Sequence, residues 1–432
     1  MNNLLPISSQ TATNGQLTIG GISVETLATT YGTPLYVLDH ATIAHQVTLY
    51  QQGLAEVSPN YLISYACKAN LTTGLAHQLN DLGVGFDVVS SGELKTVLKA
   101  GVSSNNIVFH GNNKLKPELA FAIENNIRIV VDNQSELEKI HEICTSLQKK
   151  ASILLRLKPG VDTNTHAYIK TGQADSKFGI DDIYLDQIAE YIRAHSTLNF
   201  LGIHAHIGSQ ITELLPYLEL VDVMSHYLKK FQFNYQLPVK ELDLGGGFGV
   251  AYTKSDAIPN ITDYLQKMVS KLILKCKETQ VELPKIIVEP GRSLIAQSGV
   301  TLYRVGTIKE IPNIKTFVFV DGGMADNMRP ALYQSKYTFE VGNRMTTPKT
   351  KTYSIAGKYC ETGDILAENV PLPEISQEDI IVVAVTGAYN YAMASTYNRV
   401  GRPAMVMIKD GKIIELLKRE TDEDLLRLDT GD

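Results

Sequence analysis

Apolar runs and helix-like segments alternate along the chain from Tyr61 to Glu289. The predicted strands are residues 61–67, 86–89, 107–110, 127–131, 153–157, 200–207, 241–244 and 286–289. Segments with helical character lie between these runs, among them residues 91–100, 117–125, 135–147 and 183–195. Strands that are apolar on both faces and alternate with helices indicate a parallel sheet covered on both sides. Eight such units fit a (β/α)8 barrel of the TIM type, usually about 250 residues long, better than an open doubly wound sheet.

The pattern changes after Ser293, where short strands separated by turns replace the strand–helix alternation. These strands are residues 300–308, 316–320, 353–356, 380–385, 404–409 and 412–415. Asp410-Gly411, between the last two, is a two-residue hairpin signal, and residues 35–38 also have the pattern of a strand. We therefore expect an α/β protein with a barrel and a mostly-β domain (sandwich or barrel). The expected parts are an N-terminal segment contributing to the β domain, the barrel, and the C-terminal β domain, at residues 1–45, 46–295 and 296–432.

Charge and composition exclude several kinds of partner. The chain has 432 residues and a formal net charge of -6, which gives no electrostatic reason to expect nucleic acid or an anionic membrane as partner. No apolar run has transmembrane length, and the first residues lack the pattern of a signal peptide, so we expect a cytoplasmic protein. The four cysteines, Cys67, Cys144, Cys276 and Cys360, have no CxxC or zinc spacing and are expected to be free thiols.

The first barrel strand ends at a lysine. Strand alternation puts two sets of side chains on opposite faces: Ile63, Tyr65 and Cys67 on one, and Leu62, Ser64, Ala66 and Lys68 on the other. Lys68 then continues a face of small or apolar residues, where it is expected to lose water. Desolvation lowers the pKa of a lysine amine and makes it a nucleophile toward aldehydes. The alternative is a strand-end lysine that extends to solvent.

Polar and glycine residues concentrate at one end of the predicted strands, which is where parallel barrels carry their active residues. They are Lys68, Asp87, Glu93, His110, Arg156, His204, His206, Ser209, the run 245–249, Glu289 and Arg292. The glycine-rich turn after the seventh strand allows backbone N–H groups to approach a phosphate, and phosphate sites recur at strands seven and eight. It is not a P-loop, because no Lys-Ser/Thr follows the last glycine. The alternative is an ordinary tight turn.

Two histidines, His204 and His206, are spaced to share one face of the sixth strand. They allow three interpretations: packing inside the barrel, zinc ligation, or stacking of His206 on a planar ligand. The carboxylates at this rim, Asp87, Glu93 and Glu289, come from different strands, which disfavours a metal site. We therefore expect no metal.

Four features together match one cofactor. A reactive lysine amine, a phosphate-binding turn, a flat imidazole and the carboxylate of Glu289 are what pyridoxal phosphate requires. The amine forms a Schiff base with the cofactor aldehyde. The carboxylate keeps the pyridine nitrogen protonated, which makes the ring a strong electron sink and suits loss of CO2 from an α-carbon.

Nine segments between Thr33 and Pro403 carry a family resemblance. They are YACKAN at 65–70, GFDVVSSGEL at 85–94, SKFG at 176–179, HAHIGSQ at 204–210, LDLGGGFG at 242–249, EPGRS at 289–293, RPALY at 329–333, CETGD at 360–364 and GAY at 387–389. In this order the chain resembles the group IV, fold-type III PLP-dependent decarboxylases. The resemblance implies a PLP-binding barrel, a β domain and an obligatory homodimer.

The resemblance also implies a role for individual residues. Lys68 would hold the cofactor, His206 would stack on its ring, and Glu289 would pair with the pyridine nitrogen. The groups implied for the phosphate are Ser209, Gly246, Gly247, Pro290, Gly291, Arg292 and Tyr389. Those implied for the amino-acid substrate are Arg292, Arg329, Tyr333, Glu361 and Tyr389. Cys360, on a loop that reaches the neighbouring subunit's site, would be the acid that protonates the α-carbon.

Substrate choice rests on fewer residues. Family members that decarboxylate ornithine or arginine share the lysine, the glycine run and the Glu-Pro-Gly-Arg segment. Residues 176–179 and 206–210, together with Arg329 and Tyr333, favour meso-2,6-diaminopimelate, giving L-lysine and CO2 in the last step of lysine biosynthesis. The alternatives are another basic amino acid, a non-catalytic PLP-barrel regulator, a zinc hydrolase and a racemase. The regulator would not need Cys360, and the racemase would do better without Glu289.

Overall fold

Eight parallel strands close into a barrel in the computed structural model, which describes residues 4–161 and 176–431. The barrel strands are Tyr61–Ala66, Gly85–Val88, Ile107–Phe109, Arg128–Val131, Ala151–Arg156, Leu198–His204, Glu241–Asp243 and Lys285–Val288. Each pairs with the next in chain order, and the eighth pairs with the first through Ile286 and Tyr61. The prediction of a (β/α)8 barrel is confirmed, and an open sheet is excluded.

Helices connect the barrel strands. The helices from the start of the barrel onward are His40–Ala55, Thr73–Asp81, Ser91–Lys99, Lys116–Glu124, Gln134–Leu147, Leu185–Ala194, Leu215–Phe233 and Ile261–Thr279. Several begin at an N-cap residue whose side-chain oxygen accepts from the backbone N–H two or three residues on. Thr72 accepts from the N–H of Leu75, and Asn133 accepts from the N–H of Glu136.

An apolar layer fills the barrel interior. It is formed by Leu62, Val108, Val130, Leu154 and Ile287, all less than 9% exposed. Each comes from a different strand, and Leu62 belongs to the face that the alternation in the first strand predicts as internal. The barrel interior is therefore apolar at this layer.

The second compact unit comprises Met1–Gln46, Val250–Ala257 and Leu294–Asp432, and the barrel unit comprises Val47–Gly249 and Ile258–Ser293. Its main sheet has nine strands: Leu35–Asp39, Gly299–Ile311, Lys315–Val320, Phe339–Val341, Lys351–Ala356, Ile365–Leu372, Ile380–Ala384, Ala404–Lys409 and Lys412–Leu417. Leu35–Asp39 lies between Gly299–Ile311 and Ala404–Lys409, so a strand from the start of the chain completes a sheet built from its end. The mostly-β character predicted for this region is confirmed.

Smaller elements complete the second unit. A three-stranded sheet is formed by Gln10–Thr11, Leu17–Ile19 and Ile22–Ser23, and helix Val24–Tyr31 follows, capped by the Ser23 hydroxyl. Two further short helices of this unit are Arg329–Tyr333 and Asp422–Leu426, and a third, Arg292–Ile295, begins in the barrel unit and ends in the second. Within the described ranges, no helix is both long and apolar enough to cross a membrane.

A buried ion pair anchors the loop after the third barrel strand. The ammonium of Lys114 lies 2.7 Å from the carbonyl of Gly111, 2.8 Å from that of Val130 and 2.7 Å from a carboxylate oxygen of Glu136. Both charged side chains are almost fully buried, at 1% and 3% exposure. Burial lowers the pKa of Lys114 and raises the pKa of Glu136, and the opposite charge of each partner counteracts both shifts. The loop is thus tied to the neighbouring strand and helix.

We expect Lys114→Met to lower the free energy of unfolding by about 3–5 kcal/mol, because it leaves the Glu136 carboxylate buried without its cation. Without that cation the pKa of Glu136 rises further above its value in the unfolded chain. The stability of the variant should therefore fall as pH rises, so the loss should be smaller at about pH 5 than at about pH 8. Urea unfolding at both pH values measures this.

The matched control is the double variant Lys114→Met, Glu136→Leu, which removes both charges and should recover most of the lost stability. A single variant as stable as the unmodified protein at both pH values would contradict the structural role given to Lys114.

Candidate active site

A cavity of about 330 Å³ opens at the carboxyl ends of the barrel strands. It is lined by Lys68, Asp87, Val89, His110, Gly111, Asn112, Arg156, Phe178, His204, His206 and Glu289. Three residues predicted from the sequence, Lys68, His206 and Glu289, therefore share one cavity. The prediction that the chemistry collects at this rim agrees with the lining.

Lys68 reaches this cavity from a turn and not from the first strand. The strand ends at Ala66, and residues Cys67–Ala69 form one turn of 3-10 helix. The expectation that Lys68 continues the strand and is desolvated is wrong: the change of backbone conformation at Cys67 interrupts the alternation, and Lys68 is exposed. Cys67 is a buried free thiol, and burial raises its pKa well above the usual value.

The carboxylate of Glu289 lies at the centre of a buried polar cluster. One oxygen is 2.5 Å from Nε2 of His110, and the other is 3.2 Å from Nε2 of His204. Nε2 of His110 is also 3.9 Å from Asp87. All these side chains are less than 9% exposed, and so is Asp243 on the seventh strand. The cluster thus joins the ends of the second, third, sixth, seventh and eighth strands.

The pKa values of the acids in this cluster are shifted in opposite directions. Burial alone would raise the pKa of Glu289, but its contacts with His110 and His204 outweigh burial and hold that pKa well below its usual range. Burial raises the pKa of Asp87 to about 6, although His110 counteracts it. Burial and the charge of Glu289 raise the pKa of Asp243 well above the usual value. At neutral pH Glu289 is therefore ionised.

Both histidines of the sixth strand region are neutral at neutral pH. Burial lowers the pKa of His204 to about 4, with Glu289 acting against the shift. Burial, followed by the charges of Lys68 and Arg156, lowers the pKa of His206 well below its usual value. The strand ends at His204 and His206 follows it, but both histidines line the same cavity, as their predicted common face requires.

A metal-like arrangement exists, but it differs from the His204–His206 pair that the sequence offered as a zinc alternative. One ligand atom from each of His110, His204, Asp243 and Glu289 lies within 4.8 Å of the others. The sequence placed the rim carboxylates on separate strands and did not show that Asp243 joins them across the barrel. Each strand contributes one residue, so only closure of the barrel brings the four together.

The glycine turn follows the seventh strand. Gly247 has a φ of +96°, and a Cβ there would lie 2.3 Å from the carbonyl oxygen of Gly208, so only glycine fits. The N–H of Gly246 points at Nδ1 of His206, 3.4 Å away. Beside the turn, an N–H of Arg292 donates to the hydroxyl of Ser209 at 3.2 Å. Backbone N–H groups, a hydroxyl and a guanidinium are the donors that suit a phosphate.

Two further loops shape the barrel end. Pro290 accepts a hydrogen bond from the backbone of Ala66 at 3.1 Å, which joins the eighth strand to the first, and a Cβ on Gly291 would lie 3.1 Å from the Cβ of Ala66. The guanidinium of Arg156 lies 4.4 Å from the ring centre of Phe178. Phe178 belongs to the SKFG segment, and residues 162–175 before it lie outside the described ranges.

Apart from Arg292, the residues implied for the amino-acid substrate lie in the second unit. The guanidinium of Arg329 lies 5.9, 5.3 and 5.7 Å from the ring centres of Tyr252, Tyr333 and Tyr389. Arg329 is 8% exposed and donates to the hydroxyl of Ser335 at 3.3 Å. Among the described residues, its Nε has no hydrogen-bond partner. A buried guanidinium with spare donors is suited to binding a carboxylate.

Cys360 lies at the surface of the second unit. Its thiol is free and exposed, and its backbone N–H donates to the side chain of Asn398 at 2.9 Å. Glu361 is also exposed, and accepts from the hydroxyl of Tyr397 at 3.5 Å. The backbone N–H of Tyr359 donates to Asp364 at 2.8 Å, so the CETGD segment is held at both ends.

The residues of the barrel cavity fit pyridoxal phosphate. A primary amine, a neutral imidazole and an ionised carboxylate line one cavity, and the phosphate donors lie at the glycine turn. Sequence reasoning named Lys68, His206 and Glu289 for this site but gave no role to His110 and Asp243. His110 carried a signal, since it directly follows the third strand, whereas the contribution of Asp243 depends on contacts across the barrel.

Comparison with known proteins agrees with this chemistry. The family model described as "Pyridoxal-dependent decarboxylase, pyridoxal binding domain" matches residues 40–296. Diaminopimelate decarboxylase of Synechocystis sp. is 44% identical, covering 99% of this chain and 93% of that protein. Diaminopimelate decarboxylase of Bacillus subtilis is 41% identical, covering 96% of this chain and 95% of that protein. The chain is thus similar to these relatives over almost its whole length.

Solved structures extend the comparison to the fold. The crystal structure of diaminopimelate decarboxylase from M. jannaschii in co-complex with L-lysine has a TM-score of 0.92 and 33% identity, covering 99% of this chain and 98% of that one. The Helicobacter pylori enzyme complexed with L-lysine has a TM-score of 0.86 and 34% identity, covering 94% and 98%. Both units of the chain fall within these matches. The chain therefore belongs to the diaminopimelate decarboxylase family of pyridoxal-dependent decarboxylases.

Proposed function

We infer that this protein is a pyridoxal phosphate-dependent carboxy-lyase that converts meso-2,6-diaminopimelate to L-lysine and CO2, the last step of lysine biosynthesis. The observation that carries this function is the ionised carboxylate of Glu289, buried in the same cavity as the amine of Lys68. Membership of the family supports the same reaction.

The barrel residues divide the work of holding the cofactor. Lys68 would bind it covalently, His206 would stack on the ring, and Glu289 would pair with the ring nitrogen. The phosphate is held by Ser209, Gly246, Gly247, Pro290, Gly291 and Arg292, with Tyr389 from the second unit. When bound, pyridoxal phosphate supplies a positively charged ring that accepts the electron pair released with CO2.

Electrostatics at the barrel rim favour this reaction. The ionised Glu289 stabilises a positive charge on the group it faces, and the apolar layer below it keeps water from screening that charge. A neutral His206 offers a flat surface without adding a second positive charge beside the ring. Arg156, in the same cavity, balances the negative charge of Glu289.

Substrate binding is assigned to Arg292, Arg329, Tyr333, Glu361 and Tyr389. Arg329 binds the distal carboxylate of the substrate through paired hydrogen bonds, and Tyr333, Glu361 and Tyr389 contact the same end. The spare Nε donor of Arg329 supports this role, because a buried donor needs an acceptor. Ornithine lacks a distal carboxylate and would leave the Nε donor of Arg329 without an acceptor, so the site favours diaminopimelate.

The active assembly is a homodimer with shared sites. Cys360 of one subunit completes the site of the other, where its thiol gives a proton to the α-carbon after CO2 leaves. The exposed Cys360 and Glu361, on a segment held at both ends, support a role in contact with another chain. The free cysteines favour a reducing compartment, and the proposed location is therefore the cytoplasm.

Purified protein loaded with pyridoxal phosphate should release CO2 from meso-diaminopimelate and not from ornithine, arginine or lysine at a comparable rate. Borohydride should fix the cofactor on Lys68, because its amine lines the cavity, and peptide mass spectrometry locates the label. Lys68→Ala should lose the label and decrease turnover by at least about 10³-fold. CO2 release mainly from ornithine would overturn the substrate, and a label on another lysine would overturn the site.

Cys360→Ala should keep the cofactor bound but decrease kcat by about 10²–10⁴-fold, the usual contribution of a positioned acid. Cys276→Ala, which removes a buried thiol of the barrel unit, is the matched control and should keep kcat near that of the unmodified enzyme.

Shared sites predict complementation. Mixing Lys68→Ala and Cys360→Ala subunits should restore about a quarter of full activity, because half of the dimers are hybrids with one intact site of two. Hybrids without activity would show that each subunit uses its own cysteine.

A further inference from the structure

Two histidines that the proposed reaction leaves without a role hold Glu289 from both sides. His110 comes from the end of the third barrel strand and His204 from the end of the sixth. We propose that His110 and His204 are positioning residues that fix the Glu289 carboxylate and keep the proton of the Glu289–cofactor contact on the ring nitrogen. This inference rests on the proposed function, because it concerns the cofactor that Glu289 faces.

The geometry assigns one histidine to each carboxylate oxygen. Oε1 lies 2.5 Å from Nε2 of His110, and Oε2 lies 3.2 Å from Nε2 of His204. The two imidazole rings meet edge to face, at a centroid distance of 4.8 Å and an angle of 70°. With a nitrogen against each oxygen, the carboxylate cannot rotate without breaking a contact. Each oxygen still has lone pairs for the group it faces in the cavity.

The hydrogen-bonding partners of His204 define its tautomer. Nδ1 of His204 is buried and has no hydrogen-bond partner among the described residues. A proton on that nitrogen would be a buried donor without an acceptor, so the proton of the neutral ring lies on Nε2. His204 therefore donates its single ring proton to Glu289 without carrying a charge.

Comparison with a neighbouring acid indicates what the histidines do. Asp243 is as buried as Glu289 and lies in the same cluster, yet burial raises its pKa, whereas the pKa of Glu289 is held well below the usual range. The difference is the contact of Glu289 with His110 and His204. A carboxylate with a low pKa is a weak base, so the shared proton stays on the partner it faces.

The consequence for the cofactor is the strength of its electron sink. If Glu289 were a stronger base, the proton would move to the carboxylate and leave a neutral ring. A neutral pyridine withdraws electrons less than a pyridinium does. Asp87, Asp243 and Arg156 also face Glu289. The charge of Asp87 acts against the ionisation of Glu289, whereas the hydrogen bond with Asp243 and the charge of Arg156 act in the same direction as the two histidines.

The test is the ¹⁵N chemical shift of cofactor labelled at the ring nitrogen, bound to the full-length holoenzyme. Unmodified protein should give a pyridinium signal. His110→Phe and His204→Phe keep a ring of similar size without a donor, and should move the signal toward that of neutral pyridine. Their kcat should fall by about 10–100-fold, as when a residue that orients a functional group is removed, with a smaller change in KM.

His110→Gln and His204→Gln keep an N–H donor near the position of Nε2, so the signal should move less than in the phenylalanine variants. If a phenylalanine variant does not fold or does not bind the cofactor, the ¹⁵N signal of the corresponding glutamine variant tests the positioning role instead. His77→Phe is the matched control, because His77 lies on the barrel with its side chain 58% exposed, and it should leave the signal unchanged.

A pyridinium signal that is identical in every variant that binds the cofactor would overturn the positioning role. One zinc ion per chain in the purified protein, lost in His110→Gln, would overturn it as well, because the four convergent ligands would then be a metal site. Protein that takes up no cofactor overturns both proposals. Protein that decarboxylates diaminopimelate while the signal never moves overturns this inference alone.

Discussion

The buried charge of Glu289 is the constraint on which the rest of the site depends. Moving a carboxylate from water into a barrel interior costs several kcal/mol unless partners offset the cost. Here the partners are two histidines on two other strands. The charge is therefore stable only in the closed barrel, because no single strand–helix unit contains all three groups. Fold and function are coupled at this point.

The surrounding structure keeps that charge in place and effective. The apolar layer of Leu62, Val108 and its neighbours lies inside the barrel and excludes water. The Lys114–Glu136 pair fixes the loop that directly follows His110, so the histidine is held from behind. Gly247 allows two loops to approach within a distance that any side chain would prevent. Each of these three features helps to hold a group at the rim in its position.

The repeating parts of the fold could be predicted from the sequence, because they follow from periodicity. All eight barrel strands, the intervening helices and the concentration of polar residues at one rim agree with the pattern of apolar runs. The β strands Phe339–Val341 and Ile365–Leu372 were missed. The first is only 3 residues long, and the second carries the polar pair Glu368-Asn369 in its middle, so neither produces a clear apolar run.

Contacts that depend on closure of the barrel could not be predicted. Glu289 and Lys68 could be assigned from position and residue type, but the pairing of Glu289 with His110 joins residues from opposite parts of the chain. The predicted conformation of Lys68 was wrong for a different reason. Strand alternation assumes an extended backbone, and the 3-10 turn at Cys67–Ala69 ends it one residue before the lysine. Residue type was a better guide to this site than side-chain direction.

The ionisation of Glu289 can be measured directly by carboxyl ¹³C NMR of the cofactor-free protein, with the signal assigned by its loss in Glu289→Gln. The account predicts a carboxylate that stays ionised from neutral pH to below about 4, the ordinary range of a glutamate. A Glu289 that becomes protonated near neutral pH, as burial alone would cause, would contradict it.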